Sequence, residues 1–157
     1  MKSRKHSLAW FLLFATIFGG IQTTSFAAST KFNKCFTGAS LPGIVGRIKG
    51  PFRVADSGIK GVLTYGPYVS LQPGSYVADI TYSIPGNSKS ILAVIDWAAQ
   101  GKQIAGTSTA LLTKTSGLGK FTSSLKLSKP LSAVEVRVYD MGVVQIQIQN
   151  LCIRQTS

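Results

Sequence analysis

An all-β fold, two antiparallel sheets packed as a sandwich, is predicted by three features of this 157-residue sequence. The first is two-residue alternation. Tyr76, Ala78, Ile80 and Tyr82 share one side of a strand, with Val77, Asp79, Thr81 and Ser83 on the other; Val134, Val136 and Val138 likewise oppose Glu135, Arg137 and Tyr139. The second is punctuation by Gly, Pro, Asn and Asp at spacings of roughly 8–12 residues, the rhythm of short strands joined by turns. The third is that no stretch holds a 3.6-residue apolar period over three turns, so no amphipathic helix is expected.

The chain opens on a predicted secretory signal, residues 1–27. Met1-Lys2-Ser3-Arg4-Lys5 is basic, residues 8–21 are an apolar run of 14, and Ser25-Phe26-Ala27 offers small residues at the cleavage positions. That run is short of the about 20 residues a spanning helix needs, and no later stretch reaches that length, so an integral membrane protein is not expected. The predicted domain is residues 28–157, exported and therefore secreted or periplasmic, and of a size for one core.

Within it, residues 44–48 and 52–54 read as short strands, ended by Gly50-Pro51 and by the turn Asp56-Ser57-Gly58. Residues 61–64 form the next strand. Gly66-Pro67 breaks the ladder there, because proline has no N–H to donate. A short strand leads to Pro73-Gly74, which suits the centre of a type II turn, and then to the long alternating strand from Tyr76. Residues 85–88 make a tight connection. Residues 91–97 are nearly all apolar, as in a strand covered on both faces. Gln100-Gly101-Lys102 reads as a hairpin loop, residues 103–112 as one strand, 116–119 as a turn, and 120–127 as a strand. After Lys129-Pro130 come a strand over 133–139, a turn at Asp140-Met141-Gly142 and a last strand over 143–153. In that strand Val144, Ile146 and Ile148 oppose Gln145, Gln147 and Gln149.

Cys35 and Cys152 are the two cysteines, and in an exported protein they are expected to pair. The bridge would contribute about 4–5 kcal/mol in the chain-entropy picture and would lay the first and last segments side by side, a jelly-roll-like arrangement. Two cysteines and a lone His6, in the leader, cannot build a zinc site, and no cofactor is expected. Three of the 17 basic residues lie in the leader. The domain keeps 14 against five acidic ones, a net charge of +9. Anionic partners fit that balance: acidic polysaccharide, lipopolysaccharide phosphates, cell-wall polymers or a membrane surface. The lysines are scattered singly, so plain solvation accounts for them as well. No nucleic-acid recognition motif is present.

Four segments carry a resemblance to a known family: Gly61-Val-Leu-Thr-Tyr-Gly-Pro-Tyr68, Leu71-Gln-Pro-Gly-Ser-Tyr76, Val94-Ile-Asp96 and Val134-Glu-Val-Arg137-Val138. Over residues 43–153 the chain resembles the galactose-binding-domain-like jelly rolls, which include carbohydrate-binding modules. That resemblance implies a jelly-roll β-sandwich and non-catalytic sugar recognition. Many such domains hold a structural calcium with clustered acids; here the early part of the domain offers only Asp56. A row of exposed tryptophans is also missing, since Trp97 alone follows the leader.

Sugar recognition needs an aromatic face and polar groups that fork onto hydroxyls. Tyr65, Tyr68 and Trp97 are the aromatic candidates; Arg47, Arg137 and Asp96 are the polar ones. The face Glu135-Arg137-Tyr139 is the first choice of surface. Each has a structural alternative: the tyrosines as plugs at the sandwich end, Trp97 as core, the charged residues as cross-strand ion pairs, with Arg137 or Arg47 as partner for Asp96. Catalysis has little to stand on. The domain has no histidine, which removes Ser-His and Cys-His nucleophile pairs, and Asp96 with Glu135 is the one carboxylate pair to weigh. The expectation is a non-catalytic module for a polysaccharide or glycan, an anionic one being among the candidates. The alternative is an envelope or secretome module that binds another envelope or host protein and no sugar.

Overall fold

The computed structural model describes residues 31–112 and 116–157; the predicted leader lies outside the described residues. Twelve strands, β1 Asn33–Thr37, β2 Arg47–Lys49, β3 Phe52–Ala55, β4 Gly61–Thr64, β5 Pro67–Leu71, β6 Gly74–Ile84, β7 Ile91–Ala99, β8 Lys102–Gln103, β9 Thr109–Leu112, β10 Gly117–Leu127, β11 Leu131–Asp140 and β12 Ile146–Gln155, make two six-stranded antiparallel sheets. One sheet runs β10-β6-β12, after which the first part of β12 pairs with β3 and the later part with β1; β2 closes that side. The other is built on β11 and β7, with β4 and β5 sharing the free side of β11, and β8 and β9 sharing that of β7. The predicted all-β jelly-roll-like sandwich with one disulfide is the fold observed.

The alternation read from the sequence decides which side chains meet between the sheets. Tyr76, Ala78, Ile80 and Tyr82 are buried from the first sheet, Val134, Val136 and Val138 from the second. Trp97 sits fully buried on β7, and its indole Nε1 donates to Ser123 Oγ on β10, 3.1 Å away. That bond crosses the gap between the sheets and satisfies the indole donor in an otherwise apolar core. Each such large side chain contributes about 1.5–3 kcal/mol by leaving water.

Four expectations shift in detail. A strand not expected from the sequence, β1, precedes the one read over residues 44–48, and the latter does not begin at residue 44. The amides of Ile44 and Val45 both donate to the Val62 carbonyl, and pairing with β3 starts only at Arg47. Residues 103–112 are not one strand. Thr107 folds them over, its hydroxyl oxygen 2.7 Å from the Ile104 carbonyl and accepting from the Trp97 amide at 3.1 Å, so β8 and β9 are separate. Residues 117–119 are strand rather than turn, because Gly119 lies opposite Tyr82, where a Cβ would overlap the Tyr82 ring. In β12 the register slips between Ile148 and Asn150, so Gln149 is an extra residue and leaves the ladder of Gln145 and Gln147. The buried set changes parity there, from Ile146 and Ile148 to Leu151 and Ile153.

That bulge turns Cys152 to the outside of the sheet. It lies directly opposite Cys35 on β1, the two Cα atoms 4.0 Å apart, and the bridge spans 117 residues of chain. Replacing both cysteines by serine is expected to lower the unfolding free energy by about 4–5 kcal/mol. Equilibrium urea unfolding reads this, and a loss under about 1 kcal/mol would show that strand pairing alone holds the two ends.

Asp140, at the end of β11, is buried to 1% exposure. Its Oδ1 accepts from the Gly142 amide at 2.9 Å, while Oδ2 has no partner among the described residues. Burial pushes its pKa up to about 6 against the hydrogen bond from the Gly142 amide. A raised carboxyl pKa favours the folded state when the group is protonated. The contribution, on the order of 3 kcal/mol, is complete below the ordinary Asp value and is lost as pH rises through about 6. Asp140→Asn removes the titration, so its stability relative to the parent should climb between pH 4.5 and 7.5. A pH-independent difference in urea midpoints would contradict the assignment.

Candidate functional site

Because Val134, Val136 and Val138 point inward, Arg137 and Tyr139 must point out from the second sheet. Register then supplies their neighbours. Arg137 lies opposite Asp96 on β7, and Tyr139 lies between Val94 on β7 and Val62 on β4. These five residues line a shallow open pocket of about 240 Å³ on the outer face of the sheet.

Its polar wall is one ion pair. Arg137 Nε donates to Asp96 Oδ1 at 2.8 Å, and Nη2 donates to Oδ2 at 2.7 Å. This parallel fork fixes both side chains. The side chains are 27% and 15% exposed, enough to shield the pair without hiding it. The bonds to Asp96 raise the guanidinium pKa further above its ordinary value, against the opposing effect of burial. Nη1 has no hydrogen-bond partner among the described residues, so donors remain for a ligand. Tyr139 is 43% exposed and supplies an aromatic surface, with Val62 and Val94 as the apolar remainder of the pocket.

Glu135 sits two residues before Arg137 on the same face, but it is buried to 4% exposure between Ala98 and Pro67, its partners in register. β4 and β5 run in the same direction along β11, and the cis Gly66-Pro67 bond that joins them lies beside it. Tyr65 and Tyr68 flank that bond with their rings edge to face, 6.2 Å between centroids. Tyr68 is half exposed, and its hydroxyl pKa is pushed up by partial burial and then by the Glu135 charge. The two tyrosines therefore belong to the Glu135 end of the same face.

Two candidates fall elsewhere. Trp97 is fully buried and packs between the sheets, because on β7 it has the opposite parity to Asp96. Arg47 lies on β2, at the edge of the other sheet, where it forks onto Asp56, which also accepts from Gln145 Nε2 at 2.8 Å. Of the two partners considered for Asp96, Arg137 is the one observed. Both Asp96 oxygens are taken up by that pair, which leaves Asp96 poorly placed to act with Glu135 on a bond between them. Val62 and Val94 escaped sequence reading. Nothing in an isolated strand says which valine will stand beside which tyrosine; only the register between strands does.

No family model matches the sequence, and no curated protein matches it. Several solved structures are loosely similar. A carbohydrate binding module (CBM6cm-2) of Cellvibrio mixtus lichenase 5A, in complex with cellotriose, is 9% identical over 79% of this chain and 98% of that one, with TM-score 0.47. The C-terminal CBM6 of LamC, a marine laminarinase from Zobellia galactanivorans, is 8% identical over 79% and 100%, with TM-score 0.46. A chain of infectious bursal disease virus, Gt strain, is 9% identical over 92% of this chain and 38% of that one, with TM-score 0.49. At these identities and TM-scores the likeness says nothing of a ligand.

The fork between Arg137 and Asp96 gives its own prediction. Arg137→Ala and Asp96→Ala should each destabilise the domain by about 1–2 kcal/mol, and the double variant by about 1 kcal/mol less than their sum. Strict additivity in a denaturation cycle would mean the pair is not coupled in solution.

Proposed function

We propose that residues 28–157 are an exported, non-catalytic carbohydrate-binding module whose ligand lies on the outer face of the second sheet. The observation that carries this reading is the Arg137–Asp96 fork beside the exposed Tyr139 ring. A sugar ring has an apolar C–H side and an edge of adjacent hydroxyls. Tyr139 with Val62 and Val94 suits the first. For the second, the fork offers a guanidinium donor next to carboxylate lone pairs in fixed relative position. The pocket is smaller than the roughly 300–1,000 Å³ of enclosed ligand sites, which favours one ring of a chain laid across an open surface.

Charge favours an uncharged ring here. The guanidinium of the pocket is already matched by the Asp96 carboxylate, so an anionic sugar would gain no net attraction. The anionic preference drawn from the net charge has no support at this pocket. Export is supported by the leader composition and by a disulfide that needs an oxidising compartment.

A glycan array with the mature domain tests the reading. Binding should be saturable, should favour neutral over acidic glycans and should persist at about 1 M salt, where charge interactions are screened within about 3 Å. Tyr139→Ala and Arg137→Ala should each weaken it about tenfold or more. Binding left intact by both substitutions would move the site elsewhere, and no glycan binding would favour the protein-interaction alternative.

A further inference from the structure

The opposite outer face, on the sheet built around β12, has a different chemistry. Alternation and register define what it presents. Lys120, Thr81 and Asn150 form one row across β10, β6 and β12; Thr122, Asp79 and Cys152 form the next; Ser124, Val77 and Arg154 form the third. Lys126 on β10 lies one row beyond. At the far side of the sheet, Arg47 and Lys49 on β2 share this face through the row Arg47, Val54, Gln147 and Ser83.

The face is cationic on balance. Lys120 and Arg154 both approach Asp79 Oδ2, at 3.0 and 3.3 Å, so one carboxylate answers two cations. Asp79 also accepts from Thr122 Oγ1 at 2.7 Å, which fixes it between the rows. Arg47 is matched by Asp56. Lys49 and Lys126 have no ion-pair partner among the described residues. Three positive charges are therefore uncompensated on this face, whereas the pocket on the other sheet has one cation against one carboxylate.

Strand spacing of about 4.8 Å and a rise of about 3.4 Å per residue spread these cations over on the order of 20 Å in each direction. That spread suits an extended polyanion rather than a single small anion. Between the cations lie hydroxyls and amides: Thr81, Ser83, Ser124, Asn150 and Gln147. Among the described residues of those rows no aromatic side chain stands to stack on bases, and the one large exposed aliphatic, Leu118 opposite Ser83, stands singly and is too little to enter a bilayer.

We infer that this face binds an acidic polysaccharide, through Lys120, Lys126 and Arg154 at one side and Arg47 and Lys49 at the other, independently of the pocket at Arg137. The domain then holds an uncharged glycan on one sheet and a charged one on the other.

The test is elution of the mature domain from immobilised dextran sulfate and polygalacturonate, which separate sulfate from carboxylate chemistry. The triple variant K120Q/K126Q/R154Q should bind at least one of them about tenfold more weakly. The triple variant K89Q/K102Q/K129Q, with the same loss of charge at exposed turn and hairpin positions, should elute as the parent does. Should removal of both Asp79 partners unfold the first variant, K49Q/K126Q, which breaks no ion pair, must still elute earlier than the parent. Equal shifts in the two triple variants would reduce the effect to net charge and overturn the inference. So would tighter capture of the parent by phosphatidylglycerol vesicles or single-stranded DNA than by either polysaccharide. Glycan-array binding by the first triple variant should be unchanged, which separates failure here from failure of the Arg137 pocket.

Discussion

Burial of Val134, Val136 and Val138 is the constraint from which the surface chemistry follows. A strand with three consecutive inward valines has no freedom to slip by one residue, because that would expose all three and bury Glu135, Arg137 and Tyr139 instead. Pairing of β11 with β7 is pinned in the same way by Ile95 and Trp97. With both strands held from within, Arg137 must stand opposite Asp96 on the outside. The core thus positions the candidate site without any site residue taking part in it.

The same logic explains what was legible in the sequence. Alternation reports which side of a strand is wet, so the inward set and the outward Arg137 and Tyr139 could be read directly. The cysteines could be paired because there are only two. What escaped depended on contacts between strands or on one local bond. Thr107 reads as an ordinary β-former until its hydroxyl is seen answering the backbone of Ile104 and Trp97. Gln149 reads as one more step in a polar ladder. The apolar positions on either side, Ile148 and Leu151, are three apart, and the strand satisfies both only by bulging. Arg47 has the same chemistry as Arg137, yet its place on an edge strand of the other sheet depends on a hairpin between β2 and β3. Val62 and Val94 meet Tyr139 because β4 and β7 flank β11, a fact of topology that no single segment carries.

Topology also separates charge. The two sheets contact through apolar side chains, so apart from the buried Arg53 and Asp140 the charged groups on the strands are driven to one of two outer faces or to the rim. The net charge of the chain is then a poor guide to any one surface. On the β12 sheet cations outnumber acids, and Lys120 and Arg154 compete for one carboxylate. On the β11 sheet the only ion pair among the described residues is balanced, with Glu135 beside it. A statement about partners drawn from total charge averages over two environments of opposite character.

The Arg137–Asp96 pair is hard to account for by stability. Taking two charges largely out of water costs much of what their attraction returns, and an apolar cross-strand pair at that register would hold the strands at least as well. The next pair along, Tyr139 opposite Val94, does hold them that way. What the fork provides and an apolar pair does not is direction. Two guanidinium N–H groups are consumed in orienting the carboxylate, and three remain on a planar group that cannot rotate away. A ligand meeting this wall pays little to order it, because folding has already done so. Fixed donors and acceptors beside an exposed aromatic ring discriminate among polyhydroxylated molecules by the placement of their hydroxyls. A flexible lysine or glutamate in the same position would bind without that selectivity.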